Sequence, residues 1–393
     1  MTSSAEQVRA YRGIALFSYG FRPFFLLGAA WAAVTMALLI PLLSGRLTLA
    51  TTFSPAQWHA HELLYGYVPA VVSGFLLTAV PNWTGRLPVV GAPLMVLVSF
   101  WGLGRVAVLT SSLIGASAAA ILDLSFLAML GIVVGREIFA GRDKRNLKVL
   151  IAILLLLSGN ASFHAESIWG RSDGYGERIG IASAILLIML IGGRIIPSFT
   201  RNWLAKRGSA ILPKPFDRFD VAAMIAGGIA LTAWVVAPHA APSGWLALLA
   251  MAAHTGRLAR WAGYRVLSEP LVLVLHVAYA FIPAGFGLAA LSVFHPDAAP
   301  ITGALHGWTA GAIGLMTLAV MTRASLGHTA QPLKATRPIT AVYVTCLMAA
   351  LCRIAAGFGI AREPMLYLSA ANWIAAFAGF VIVYAPLLAR RQP

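Results

Sequence analysis

Two imidazoles and a carboxylate fall within four residues at His59-Ala60-His61-Glu62, preceded by Trp58 and followed by a run that stays apolar to Val80. Such side chains are costly at the edge of a long hydrophobic segment and call for partners or a bound ion. Metal ligation is the chemistry they point to, because neutral imidazole tolerates burial better than charged ligands do. If the helix already includes both histidines, positions i and i+2 diverge by about 200°, so the rings face nearly opposite sides. The pair then gives one ligand to each of two neighbouring centres, or His59 precedes the helix and curls back like a cap. Glu62 either orients an imidazole and handles protons or is a carboxylate favoured at a helix N-terminus by the macrodipole.

Nine histidines occur in the chain. By their positions in the apolar runs, His59, His61, His164 and His306 lie near one end of the membrane. His254 stands about ten residues into its run, near mid-bilayer, and His276 lies nearer the opposite face. His328 follows a run, and His239 and His295 sit beside prolines as solvated turn residues. Imidazoles sharing depth zones suit haem iron or copper. Glu166 ends a Phe163-His164-Ala165-Glu166 echo of the first motif and is a second candidate for proton handling. Arg105, Arg194 and Arg353 are fixed charges within or close to apolar runs. Haem propionates would satisfy them, as would Asp123 or helix carbonyls; an Arg–Asp pair is the expected state of Asp123. Arg22 either snorkels to lipid phosphate or meets a cofactor carboxylate. Trp58, Trp83, Trp169 and Trp203 read as an interfacial aromatic belt.

The elements that position these residues are membrane helices. Of 393 residues, 59% are hydrophobic and 11% charged, with mean hydropathy +0.81, far from the roughly 25% charged of soluble domains. Runs of roughly 20 residues, enough to cross the hydrocarbon core, are predicted at 17–43, 60–80, 91–109, 112–135, 147–165, 179–197, 219–237, 245–262, 270–293, 301–322, 338–359 and 364–388. The fold class is therefore all-α, a polytopic bundle of about twelve spans forming one membrane domain over residues 1–393, with no sizeable soluble part. The net charge of +16 is spread over connections rather than gathered into a patch, which argues against nucleic acid. Placing the N-terminus in the cytoplasm puts the arginine-rich connections there, including Arg142 to Lys144, and predicts N-in, C-in topology. The first run is too long for a signal-peptide core and is read as a retained helix. Cys346 and Cys352, on different faces of one run, are core residues rather than a disulfide or zinc site.

Weak echoes link the second, sixth and tenth runs: Val80-Pro81-Asn82-Trp83-Thr84, Ile196-Pro197-Ser198-Phe199-Thr200 and Val320-Met321-Thr322-Arg323. Gly104-Arg105 and Cys352-Arg353 link the third and eleventh. The spacing suggests three divergent four-helix units, an arrangement that can gather related side chains around one centre.

Several motifs in order resemble the NnrS family: FSYGFRPFF from Phe17, WHAHE from Trp58, GFLLTAVPNWTG from Gly74, GRIIP from Gly193, HTGRL from His254 and LAVMTRASLGHT from Leu318. The resemblance covers nearly the whole chain. It implies a bacterial inner-membrane protein containing haem, taken as b-type, and copper, linked to denitrification and to relief of nitric oxide stress. It makes His59, His61, His254, His276, His306 and His328 the leading metal ligands, with His164 close behind. The expected partner is nitric oxide or a nitrosyl species, with membrane quinol as electron donor if nitric oxide is reduced. Two other classes stand beside that oxidoreductase: a non-catalytic nitric oxide binder or sensor, and a transporter of metal, haem or nitrosyl adducts.

Overall fold

Each apolar run becomes helix, and no strand occurs among the described residues, which are 11–86, 88–141 and 146–390 of a computed structural model. The spans are α1 (Phe21–Leu43), α2 (Pro55–Thr84), α3 (Ala92–Leu109), α4 (Ala116–Ala140), α5 (Leu147–Ile168), α6 (Tyr175–Ala205), α7 (Arg218–Val236), α8 (Ala241–Ala259), α9 (Pro270–Phe294), α10 (Ile301–His328), α11 (Arg337–Gly357) and α12 (Arg362–Ala389). Eleven of these are long and apolar enough to cross a membrane. The remaining one, α8, has the length, but His254 and Arg257 in its last turns make it more polar. Because α8 begins at Ala241, His254 stands in the last third of its helix rather than at its middle. The charged connection Arg142-Asp143-Lys144-Arg145 lies outside the described residues, as do Arg9 and Arg391.

Local chemistry sets the helix starts. Before α2, the Ser54 hydroxyl accepts from the Gln57 N–H and the Gln57 side chain accepts from the Ser54 N–H, with Pro55 in the first helical position. This reciprocal cap fixes the phase of the helix on which His59 and His61 ride. Ahead of it, the Thr52 N–H donates to the Ser111 hydroxyl at 2.8 Å, tying the entry loop to the short turn that follows α3. A similar box of Asp217 and Asp220 opens α7.

Three spans contain a π-helical stretch: Glu62–Tyr67 in α2, Ile188–Gly192 in α6 and Gly307–Gly314 in α10. These are the helices linked by the sequence echoes. Each π turn adds a residue to the helical ladder, and such turns concentrate at functional sites. The chain gathers into two compact units. One contains α1 to α5 with the start of α6, residues Ala324–Ala330 and the chain from Phe377; the other contains the rest.

In the first unit α1 packs on α2, and α4 packs on α2, α3 and α5. Arg22 is buried and donates to the carbonyls of Leu388 at 3.1 Å and Arg390 at 2.9 Å. It therefore satisfies the end of α12, where a cation is favoured, instead of lipid phosphate or a cofactor. In the second unit α8 packs between α7 and α9, and α10 packs on α9 and α11. Cys346 and Cys352 are both buried free thiols. Trp169 is exposed, but Trp58 is fully buried and is a packing residue rather than a member of an interfacial belt.

Candidate metal centre

His61 and Glu62 on α2, Arg105 on α3, Asp123 on α4 and Asn160 and His164 on α5 meet inside the first unit, each 4% exposed or less. His61 Nδ1 lies 3.1 Å from Glu62 Oε1, while its Nε2 lies 3.0 Å from Asn160 Oδ1 and 3.2 Å from Asp123 Oδ2. Arg105 donates to Glu62 Oε2 at 2.6 Å and, with its other arm, to Asp123 Oδ1. Trp31 on α1 donates its indole N–H to the same Glu62 oxygen at 2.7 Å. Asp123 Oδ2 also accepts from Asn160 Nδ2 at 2.7 Å and lies 3.1 Å from His164 Nε2.

Two glycines make this approach possible. A Cβ on Gly104 would lie 2.8 Å from Asp123 Oδ1 and 3.1 Å from the Asp123 Cα, so α3 rests directly on α4 at the ion pair. A Cβ on Gly66 would strike the Arg105 guanidinium and come within 2.9 Å of Glu62 Oε2. Around the polar atoms, Phe53, Tyr65 and Phe163 close over His61 with ring centroids 5.1, 5.5 and 5.3 Å away. The Tyr65 hydroxyl donates to the Gly176 carbonyl at 2.6 Å.

The hydrogen bonds define the charge state. Both ring nitrogens of His61 face acceptors, so the imidazolium form is satisfied there. With Arg105 positive, Glu62 and Asp123 negative and His164 neutral, the buried charges sum to zero. Neutrality within a hydrogen-bonded set is what makes burial of so many ionic groups tolerable. One ligand atom from each of His61, Asp123 and His164 lies within 4.8 Å of the others, a spacing that can hold a metal ion. Two imidazoles and a carboxylate suit copper, and Glu62 on the far nitrogen of His61 is the partner that fixes a ligating imidazole.

Of the residues singled out in the sequence, His61, Glu62, Arg105 and His164 are thus brought together. His59 is half-buried on the same helix and is not among the grouped ligand atoms, as the i, i+2 divergence requires. Glu166 accepts from the backbone N–H groups of Tyr175 at 2.7 Å and Gly176 at 3.2 Å, holding the start of α6. His328 is exposed, its ring 5.5 Å from that of Phe21. Asn160 and Trp31 escaped the sequence reading. Asn160 stands four residues before His164, hence on one helix face, and that spacing was the available signal; Trp31 reads as an ordinary core aromatic.

The second unit has its own polar interior. Arg257 on α8 donates to Asp220 at 3.0 Å, and to the Met189 carbonyl and the Tyr279 hydroxyl at 2.9 Å each. His254 Nδ1 lies 2.9 Å from that hydroxyl. On α9, His276 Nε2 lies 2.8 Å from the Thr200 hydroxyl. His306 Nδ1 lies 2.5 Å from the Thr302 carbonyl within α10. Arg194 is exposed and Arg353 half-buried.

A helical membrane protein with histidine and carboxylate at its buried polar centre is the class that fold and site define. Such a centre on α2, α4 and α5 falls within the stretch matched by a known family, and the chain belongs to it: the NnrS protein family matches residues 15–392. No curated protein matches the chain. Family membership links the protein to the nitric oxide response.

Proposed function

We propose that this chain is a haem- and copper-binding protein of the bacterial inner membrane that takes up nitric oxide and reduces it, with copper held by His61, Asp123 and His164. The carrying observation is that these three donors converge in a buried, neutral cluster. Copper there would supply a one-electron redox centre and a position for nitric oxide. A metal would take the His61 Nε2 lone pair, so the proton on that atom must leave. Exchange of one proton for Cu(I) preserves the neutral sum. Glu62 keeps the Nδ1 proton and so aims Nε2 at the site. Arg105 holds both carboxylates in place, and Asn160 steers Asp123. Phe53, Tyr65 and Phe163 keep water away, which strengthens each of these interactions.

Haem rests on the family alone: His276 Nδ1 is buried without a hydrogen-bond partner, but it packs against Gly263, where a Cβ would lie 2.5 Å away, and those surroundings do not fit a porphyrin. Arg105 is committed to carboxylates, which leaves Arg194 and Arg353 as the cations for propionates.

Reduction of two nitric oxide molecules by two electrons and two protons gives one nitrous oxide and one water. The test is anaerobic: purified protein, nitric oxide and a quinol, with both gases measured. Catalytic loss of nitric oxide with half an equivalent of nitrous oxide is expected. Uptake that stops at the protein concentration, with no nitrous oxide, would replace the reductase with a binder.

A further inference from the structure

Positive charge that the sequence spreads over separate connections is gathered by the fold at one end of the second unit. The connections 206–217 and 260–269 are tied together: the Lys214 N–H donates to the Arg260 carbonyl at 3.1 Å, and Arg201 donates to the Pro213 carbonyl at 2.9 Å. Leu204, Ala262, Val266 and Val272 form a small core there, with Trp203 and Leu212 packed against it. Trp203 also donates its indole N–H to Glu269 at 3.1 Å. The two connections are thus one ordered cap rather than two solvated loops. The spans α6 to α9 all end or begin at this cap, so it sits where the hydrocarbon core gives way to headgroups.

The cap carries side chains that bulk water does not favour. Phe216, Tyr264 and Leu267 are 62, 64 and 67% exposed, and Ile211 is exposed as well. Large apolar side chains concentrated on an exposed surface with a polar rim mark a contact with lipid or protein. On the same two connections Lys206, Arg207, Lys214 and Arg265 are exposed. The neighbouring carboxylates are already engaged, Asp217 by Arg260, Asp220 by Arg257 and Glu269 by Trp203, which leaves these cations for an external anion. The Arg207 guanidinium lies 3.7 Å from the Trp203 ring centroid and that of Arg265 5.6 Å from the Tyr264 centroid. Such stacking covers the apolar face of a guanidinium and spares its charge. An acidic protein would satisfy the cations alone, whereas a phospholipid offers phosphate and acyl chain together at this depth.

We infer that this cap is a binding surface for anionic phospholipid, its basic side chains taking the headgroup phosphate while Ile211, Phe216, Tyr264 and Leu267 enter the acyl boundary. The test titrates delipidated full-length protein in neutral detergent with phosphatidylglycerol, cardiolipin or phosphatidylcholine and reads the adducts by native mass spectrometry. Both anionic lipids should bind about ten-fold more tightly than phosphatidylcholine, a preference that shrinks as salt rises. Lys206→Gln, Arg207→Gln, Lys214→Gln and Arg265→Gln together should remove that preference. Arg46→Gln, Lys334→Gln, Arg337→Gln and Arg362→Gln together take the same charge from exposed positions elsewhere and should leave it. Phe216→Ser with Leu267→Ser keeps every charge and should still weaken the anionic lipids several-fold, and inorganic phosphate should not displace them. All these side chains are exposed, so each variant should keep the wild-type unfolding midpoint. Equal binding of charged and neutral lipid would overturn the proposal and leave an acidic protein as the occupant. Equal weakening by the two charge variants would overturn it in favour of net charge alone. Displacement by inorganic phosphate, with no effect of Phe216→Ser and Leu267→Ser, would overturn the lipid in favour of the free anion.

Discussion

His61 Nε2 and Asp123 Oδ2 stand 3.2 Å apart although 62 positions separate them in the chain. The contact joins α2 to α4 inside a set of charges that cancel, so each member is tolerated only because the others are present. Removing one member of such a set leaves an uncompensated buried charge.

Asp123→Asn should therefore cost about 3–5 kcal/mol of stability, the usual penalty for breaking a buried pair, and should strip copper from the centre. Thermal unfolding in detergent and metal analysis measure both. A variant with wild-type midpoint and copper content would show that Asp123 neither balances Arg105 nor ligates.

Copper binding at this centre should release about one proton, the one on His61 Nε2. Calorimetry in buffers of different ionisation enthalpy reads that number directly. His61→Ala should lose both the binding and the release, and proton release unchanged in that variant would move the source elsewhere.

Gly104→Ala tests the close approach of α3 to Asp123. The added methyl would meet the Asp123 backbone at 3.1 Å, where little can yield, so a loss of about 1–3 kcal/mol is expected for overpacking. Gly102, on the same helix, has open space at its Cβ, and Gly102→Ala should leave the unfolding midpoint and copper content in place.

Glu166 separates a cap from a proton carrier. Glu166→Gln keeps an oxygen for the Tyr175 and Gly176 N–H groups and should retain stability, metal and any nitric oxide turnover. Glu166→Ala should lose about 1 kcal/mol, the scale of a lost helix cap. A fall in turnover by Glu166→Gln at unchanged stability would give the carboxylate a proton-handling role.

The helices were legible because roughly 20-residue apolar runs have one structural outcome in a bilayer, and the Arg105–Asp123 pair followed from the cost of a lone charge there. His61 was legible as a ligand type. Its companions were harder to see, since Asn160 and Trp31 belong to residue types found throughout helix interiors, and only packing of α1 and α5 against α2 reveals their use. Trp58 was misplaced for a related reason: an indole at a helix end suits the interface or a crowded core equally by composition. Arg22 meets carbonyls 366 and 368 positions downstream, a separation that periodicity cannot address.

The π stretch at Glu62–Tyr67 carries a consequence for inheritance. One extra residue in a helical ladder turns everything on one side of it by about 100° relative to the other. A single-codon insertion or deletion at that point would re-aim His61 while the buried packing face of Val68–Thr84 kept its orientation. The reactive end of α2 and its packed body can therefore change on separate evolutionary schedules, one by indels at the joint and the other by ordinary substitution.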